Sequence, residues 1–102
     1  ITDFSGSSFT GVVKKLDDIL GQKKITMIKM DIEGAETNAL LGAKKIIETQ
    51  HPKLAICVYH HLDHLWGIPL LIKELFSGYQ LHLRHYTAAE FGSTVCYAIP
   101  GK

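Results

Sequence analysis

The chain is short of cysteine, with Cys57 and Cys96 far apart and each inside an apolar run. Two cysteines without close spacing argue against a disulfide framework and against a cysteine-based zinc site. A free cysteine usually behaves as a small apolar side chain and is often buried. We therefore expect both thiols to lie in the core.

An excess of charge of one sign and long hydrophobic runs are also missing. Lys and Arg total 11 against 10 Asp and Glu, so the net charge is +1, and the basic residues are scattered. This balance argues against binding to nucleic acid or to an anionic membrane surface. No apolar run approaches the roughly 18 residues of a membrane span, and the first residues are too polar for a signal peptide. We expect a cytoplasmic protein without nucleic-acid or membrane partners.

The residues that are present predict a strand, a helix and a second strand. Residues 25–31 and 54–60 are almost continuously apolar, as in strands that are covered on both faces. The residues between them have helical spacing, and the helix should end before Pro52 because proline disfavours helix in the preceding residue. One face of this helix carries Leu40, Ala43 and Ile47. A unit of this length predicts parallel strands and an α/β fold.

The second half of the chain predicts one more helix and an antiparallel pair of strands. A polar turn is expected at residues 61–67, and Pro69 suits the start of a helix over residues 70–77. Residues 79–86 alternate in polarity, and residues 94–99 form a last apolar run. The two strands are close enough in sequence to pair antiparallel.

Candidate catalytic residues stand where the two apolar strands end. Asp31 closes the first strand and His60 the second. Parallel neighbours about 4.8 Å apart end at the same edge of a sheet, so these side chains should converge, and the carboxylate could orient an imidazole that accepts a proton. We predict Asp31 and His60 as catalytic residues, with Glu33 and His61 contacting the substrate. Alternatively, the acidic residues, including Glu36, are favourable charges at a helix start and His60 is a hydrogen-bonded strand-end residue.

Two groups of side chains resemble metal ligands in composition only. One consists of three histidines and a carboxylate: His60, His61, His64 and Asp63. It lacks the His-Glu-x-x-His spacing that places zinc ligands on one helix face, so solvated turn histidines are the expected state. The carboxylates after the first strand offer oxygen ligands, but they lack the glycine-punctuated loop of a calcium site. We predict no metal.

Several separated motifs match one known family. Residues 28–36, Ile-Lys-Met-Asp-Ile-Glu-Gly-Ala-Glu, are followed by Leu-Leu-Gly-Ala at 40–43. This signature closely resembles that of the FkbM family of S-adenosylmethionine-dependent methyltransferases. Further matches follow in the family's order at residues 51–53, 58–60, 65–69, 79–86 and 94–98. The resemblance extends over residues 12–100.

The resemblance implies the carboxyl-terminal half of a Rossmann-like class I methyltransferase sheet. Residues 25–31 and 54–60 would be its fourth and fifth strands, and the last two strands its antiparallel edge hairpin, within one partial domain over residues 1–102. The implied reaction is methyl transfer from S-adenosylmethionine to a hydroxyl oxygen on a sugar or a small metabolite. His60, oriented by Asp31, would take the hydroxyl proton.

The chain also departs from the family pattern. The glycine-rich turn and the acidic residue that hold the cofactor are missing and are expected upstream of Ile1. The strand over residues 25–31 would then expose an apolar edge, so we expect self-association through it. Two other functions remain open: a non-catalytic binding or assembly module, and a metal-dependent hydrolase that uses His60, His61 and Asp31.

Overall fold

A four-stranded mixed sheet is the main element of this computed structural model, which describes residues 2–3, 10–11, 14–85 and 94–101. The strands are β1 (Thr2–Asp3), β2 (Thr10–Gly11), β3 (Met27–Met30), β4 (Lys53–Cys57), β5 (Tyr79–His85) and β6 (Thr94–Pro100). The helices are α1 (Leu16–Leu20), α2 (Glu36–Gly42), α3 (Lys44–Gln50) and α4 (His64–Leu75). The main sheet has the order β3-β4-β6-β5, and β1 pairs antiparallel with β2.

β3 and β4 run parallel. Met27 lies beside Lys53 and Met30 beside Ile56, and the connection between the two strands consists of α2 and α3. Parallel neighbours need such a crossover, because a tight turn can join only antiparallel strands. The predicted parallel strands and the crossover between them are confirmed, but β4 ends at Cys57, so the prediction that the second strand continues to His60 is wrong.

β5 and β6 form the predicted antiparallel pair. Tyr79 lies beside Pro100 and His85 beside Thr94. β6 also pairs antiparallel with β4, which leaves β5 at one edge of the described sheet. The α/β class is therefore confirmed as a mixed four-stranded sheet with helices. Residue 86, the last of the predicted strand, lies outside the described residues.

The helices differ from the prediction in two places. The single helix expected after Gly34 is divided into α2 and α3, which meet at Ala43. The second helix begins at His64, so the turn predicted at residues 61–67 is wrong beyond Asp63. Pro69 lies inside α4, where it costs one hydrogen bond to a preceding carbonyl without ending the helix. No helix among the described residues is long and apolar enough to cross a membrane.

β4 is the most enclosed strand of the sheet. Its last four side chains, from Leu54 to Cys57, are all buried, although successive side chains of a strand point to opposite faces. Cys57 and Cys96 are both buried free thiols, as predicted, and burial raises the pKa of Cys96 to about 11. The core therefore extends to both sides of β4.

Tyr79 ties the edge strand β5 to the start of β4. Its side chain is fully buried, and its hydroxyl donates a hydrogen bond of 2.5 Å to the carbonyl of Pro52. Burial raises the pKa of Tyr79 to about 12, because the charged phenolate would lose its hydration. The phenol is thus a neutral donor at physiological pH.

Asp17 explains why a new helix can begin immediately after α2. In the first turn of α3, the amide of Lys45 donates a hydrogen bond of 2.9 Å to Asp17 Oδ2, and the amide of Ile46 donates one of 2.9 Å to Asp17 Oδ1. The first amides of a helix have no partner inside it, and a carboxylate is favourable near that positive end. A side chain of α1 thereby caps α3 from a distance.

Replacing Asp17 should therefore destabilise the fold. Asp17→Ala is expected to lower the free energy of unfolding by about 1–2 kcal/mol, the usual cost of losing a helix cap. The neighbouring Asp18 is exposed, and Asp18→Ala should stay within about 0.5 kcal/mol of the parent chain. Urea denaturation followed by circular dichroism measures both variants, and equal losses would contradict the long-range cap.

Candidate active site

The ends of β3 and β4 bring Asp31 and His60 together. Asp31 directly follows β3, and His60 is the third residue after β4. The distance between His60 Nε2 and Asp31 Oδ1 is 3.6 Å. The His60 side chain is 12% exposed and that of Asp31 51% exposed, so the pair lies at the protein surface with the imidazole mostly covered. This is the convergence that the parallel pairing predicted.

Glu33 approaches the same imidazole from the turn between β3 and α2. Its Oε2 lies 3.4 Å from His60 Nε2, and its side chain is 89% exposed. The backbone of Glu33 has a φ of 58°, in the left-handed region that is unfavourable for a residue with a side chain. Such strain costs about 1–3 kcal/mol and is common at binding and catalytic sites. The turn therefore presents Glu33 to solvent beside His60.

His61 lies against Gly34 in the same turn. Gly34 has a φ of 100°, and a Cβ atom added there would lie 2.5 Å from His61 Nε2. Glycine is required for this backbone conformation, and it also leaves room for the imidazole. His61 is exposed, and its ring meets that of His64 edge to face, with the centroids 4.8 Å apart. Of the two predicted substrate contacts, Glu33 therefore lies beside His60, and His61 lies against Gly34 and His64 in the same region.

Glu36 is fully buried beneath these groups, in the first turn of α2. Its Oε2 accepts a hydrogen bond of 2.8 Å from the amide of Ile32 and lies 3.5 Å from His60 Nδ1. Its Oε1 lies 3.9 Å from His64 Nδ1. Glu36 is therefore a charge at a helix start, as the sequence suggested, and it is also a buried carboxylate between two histidines. Sequence analysis missed this role.

The expectation of solvated turn histidines is wrong for His64 and His60. His64 is only 6% exposed, in the first turn of α4, and its Nε2 lies 3.4 Å from the hydroxyl oxygen of Thr37. The turn was predicted to continue to residue 67, and a side chain in a polar turn is expected to be exposed. Because the helix begins earlier, this imidazole points into the protein toward Glu36.

Tyr59 is a further residue of the site that the sequence did not single out. Its hydroxyl donates a hydrogen bond of 3.0 Å to Asp31 Oδ1. The centroids of the Tyr59 and His60 rings are 4.1 Å apart. The hydrogen bond to Asp31, followed by burial, raises the pKa of Tyr59 to about 12. Tyr59 therefore remains a neutral donor to Asp31 at physiological pH. Its position next to His60, two residues beyond β4, is the sequence feature that could have identified it.

Three residues of the site could also hold a metal ion. Asp31, Glu36 and His60 each offer one ligand atom, and these atoms lie within 4.8 Å of one another. One oxygen of each carboxylate already accepts a hydrogen bond from the protein, from Tyr59 or from Ile32. We assign no metal to this group, and the absence of a metal stays a prediction.

A cleft of about 390 Å³ lies at the amino ends of β3 and β4, opposite the edge that carries Asp31 and His60. Its lining residues include Lys24, Lys53 and His51 but no carboxylate. It therefore lacks the pairing of imidazole and carboxylate that makes the other edge suitable for proton transfer. The smaller cavity beside the site includes Tyr59, His61 and Leu65 in its lining.

Comparison with known proteins identifies the family. The sequence model of the methyltransferase FkbM domain matches residues 7–87, a range that contains every site residue described above. The chain belongs to the FkbM methyltransferase domain family. The resemblance inferred from the sequence motifs is confirmed.

A solved structure agrees with this assignment. The crystal structure of methyltransferase FkbM from Methylobacillus flagellatus KT is similar to this chain, with 40% sequence identity and a TM-score of 0.75. The match covers 82% of this chain and 22% of that one, so the chain spans about a fifth of the length of the solved FkbM protein. A search of the curated proteins finds no significant match.

The geometry around Gly34 leads to a stability prediction. Gly34→Ala should lower the free energy of unfolding by about 1–3 kcal/mol, because alanine is strained at a φ of 100° and displaces His61. Gly67 lies in α4, and a Cβ atom there would meet nothing within 4 Å. Gly67→Ala should therefore stabilise the chain by about 0.5–1 kcal/mol. Thermal unfolding of both variants provides the measurement, and losses in both would contradict the special role of Gly34.

Proposed function

We propose that this chain carries part of the active site of an S-adenosylmethionine-dependent methyltransferase that modifies a hydroxyl oxygen on a sugar or a small metabolite. Membership of the FkbM methyltransferase domain family supports the reaction type. The observation that carries the assignment of the site is the His60 imidazole, whose Nε2 lies within 3.6 Å of both Asp31 and Glu33. These three side chains form a surface group that can hold a hydroxyl and accept its proton.

We also propose that the four-stranded sheet is the carboxyl-terminal part of a Rossmann-like sheet. The parallel pair β3 and β4 and the antiparallel pair β5 and β6 support this interpretation. In open α/β sheets, ligands bind outside the carboxyl ends of the parallel strands, which is where Asp31 and His60 lie.

His60 is the group that takes the proton in the proposed reaction. The acceptor hydroxyl lies against His60 Nε2, beside the exposed carboxylate of Glu33, and its proton moves to Nε2 as the oxygen becomes nucleophilic. Glu33 and His61 hold the acceptor, and the Asp31 carboxylate, 3.6 Å from Nε2, stabilises the imidazolium that forms when the proton arrives. Fixing the acceptor in this geometry removes much of the entropic cost of bringing the reactants together.

In this proposal, the cofactor binds to residues other than Asp31, Glu33, His60 and His61. S-adenosylmethionine supplies the methyl group in this chemistry. Among the described residues, no glycine-rich turn joins the end of a parallel strand to a helix in the way that would hold the cofactor. We therefore assign no residue of this chain to it, and the steps above concern the acceptor alone.

Substitutions of the proposed proton acceptor His60 and of its neighbour Asp31 should strongly lower turnover in the complete protein. Asp31→Asn and His60→Gln are each expected to lower kcat for methyl transfer by about two to four powers of ten. Glutamine at position 60 can still donate an N–H to Glu36 but cannot accept a proton at neutral pH. The measurement is transfer of labelled methyl from S-adenosylmethionine to a panel of hydroxyl acceptors.

Matched controls are available on the surface. Asp18→Asn and His82→Ala change exposed residues of the same types outside the site and should leave kcat unchanged. Unchanged turnover in the Asp31 and His60 variants would remove both residues from the mechanism. A complete protein that shows no heat on titration with S-adenosylmethionine would favour a non-catalytic binding module. Stoichiometric bound metal with hydrolase activity would favour the metal-dependent hydrolase.

The free edge of β3 suggests that the chain can pair with a second copy of itself. Among the described strands, β3 pairs only with β4, and Met27 on β3 is 55% exposed. A strand edge with unpaired backbone groups tends to add another strand.

We propose that the 102-residue chain self-associates through β3. Light scattering should give a mass above that of the monomer, 11.3 kDa, and the mass should rise with concentration. Lys29→Pro removes a backbone donor from β3 and should weaken the association, whereas Lys29→Ala keeps that donor and should associate like the parent chain. A parent chain that stays monomeric at high concentration would contradict the proposal.

A further inference from the structure

We propose that Glu36 is the positioning residue for His60, holding the Nδ1–H of the imidazole so that the Nε2 lone pair faces the surface beside Asp31 and Glu33. The inference rests on the proposed function, in which His60 accepts the proton. It differs from the arrangement expected from the sequence, in which Asp31 orients the ring.

The carboxylate of Glu36 is held in a fixed orientation. The side chain is fully buried, and the Ile32 amide donates to Oε2 over 2.8 Å. Oε2 also lies 3.5 Å from His60 Nδ1, and the structure gives that buried nitrogen no hydrogen-bond partner. A shift of a few tenths of an ångström would complete a hydrogen bond between them. Glu36 is therefore the acceptor that this nitrogen faces.

Because Glu36 is buried, its carboxylate needs hydrogen-bond donors or positive charges nearby. A carboxylate in the interior is tolerated when charged groups and hydrogen bonds compensate for its lost hydration. Two imidazoles face it, with His60 Nδ1 near Oε2 and His64 Nδ1 at 3.9 Å from Oε1. His64 also contacts Thr37 through its other nitrogen, at 3.4 Å. The carboxylate thus lies between two rings whose donors it can accept.

The two sides of the His60 ring differ in exposure. Nε2 lies near Asp31 and Glu33, whose side chains are 51% and 89% exposed, whereas Nδ1 faces the buried Glu36. A neutral imidazole has one donor and one acceptor nitrogen. A proton on Nδ1, facing Glu36, leaves Nε2 as the acceptor on the side that a substrate can reach.

Asp31 then acts on the substrate side of the ring. Its Oδ1 lies 3.6 Å from Nε2 and accepts a hydrogen bond from Tyr59. Among the described residues, the charged and titratable groups near His60 include Asp31 after β3, Tyr59 after β4, Glu33 in the turn and Glu36 in α2. Of these, Glu36 alone faces Nδ1 in the described structure.

The tautomer of His60 tests the proposal directly. Nitrogen-15 correlation spectra of the imidazoles, recorded on the complete protein at a pH where the ring is neutral, should show the proton on Nδ1 of His60. In Glu36→Gln, the amide can turn its NH₂ toward the ring, so the proton should move at least partly to Nε2. His60 assigned with its proton on Nε2 in the parent protein would overturn the proposal, and this measurement needs no variant to fold.

Kinetics supply the second readout. Glu36→Gln should lower kcat about 10²- to 10⁴-fold, the range of a correctly placed proton acceptor, with little change in the KM for the acceptor. Glu48→Gln, at an exposed position of α3, is the matched control and should leave kcat unchanged. A folded Glu36→Gln protein with the parent tautomer and the parent kcat would show that Glu36 only supports the turn at Ile32.

The same experiments separate this inference from the proposed function. Loss of kcat in His60→Gln together with normal kcat in Glu36→Gln would uphold the catalytic role of His60 and reject the positioning role of Glu36. Normal kcat in His60→Gln, together with a proton on Nδ1 of His60 in the parent protein, would reject the proposed function and leave the contact between Glu36 and His60 in place.

Discussion

Parallel pairing of β3 with β4 is the constraint on which the site depends. Because Met30 lies beside Ile56, the residues that follow the two strands emerge at the same edge of the sheet. Antiparallel pairing would place Asp31 and His60 at opposite ends of the strands. The crossover also determines the position of Glu36, because α2 begins immediately beyond this edge. One topological choice therefore assembles residues from the strand ends and from the helix start.

The site has a gradient of exposure across a single ring. On one side of His60, Glu33 is almost fully exposed, and on the other side Glu36 is fully buried. A buried carboxylate costs several kcal/mol of hydration, and the hydrogen bond from the Ile32 amide offsets part of this cost. The imidazoles of His60 and His64 face the carboxylate at 3.5 and 3.9 Å. Two chemically similar glutamates, three positions apart, therefore lie in opposite environments.

The prediction from sequence succeeded where the signal was local. Apolar runs and helical spacing identified β3, β4 and a helical segment between them, and the convergence of Asp31 with His60 followed from parallel geometry. The start of α4 was misplaced because proline usually marks the first turn of a helix, whereas Pro69 lies in its interior. The break at Ala43 was missed because its cap, Asp17, comes from a distant helix.

The sequence by itself determined the family, the strand and helix types, and the acidic junction with Gly34 at which the site is built. The strand and helix types depend on backbone sterics and on the spacing of apolar residues, which act over a few positions, whereas the family follows from the match of its sequence motifs. Only the tertiary structure decided that Glu36 is buried, that His64 faces it, and that Tyr59 donates to Asp31. The neighbours of a ring nitrogen are set by how β4, α2 and α4 pack together, and no local pattern in the chain encodes that packing.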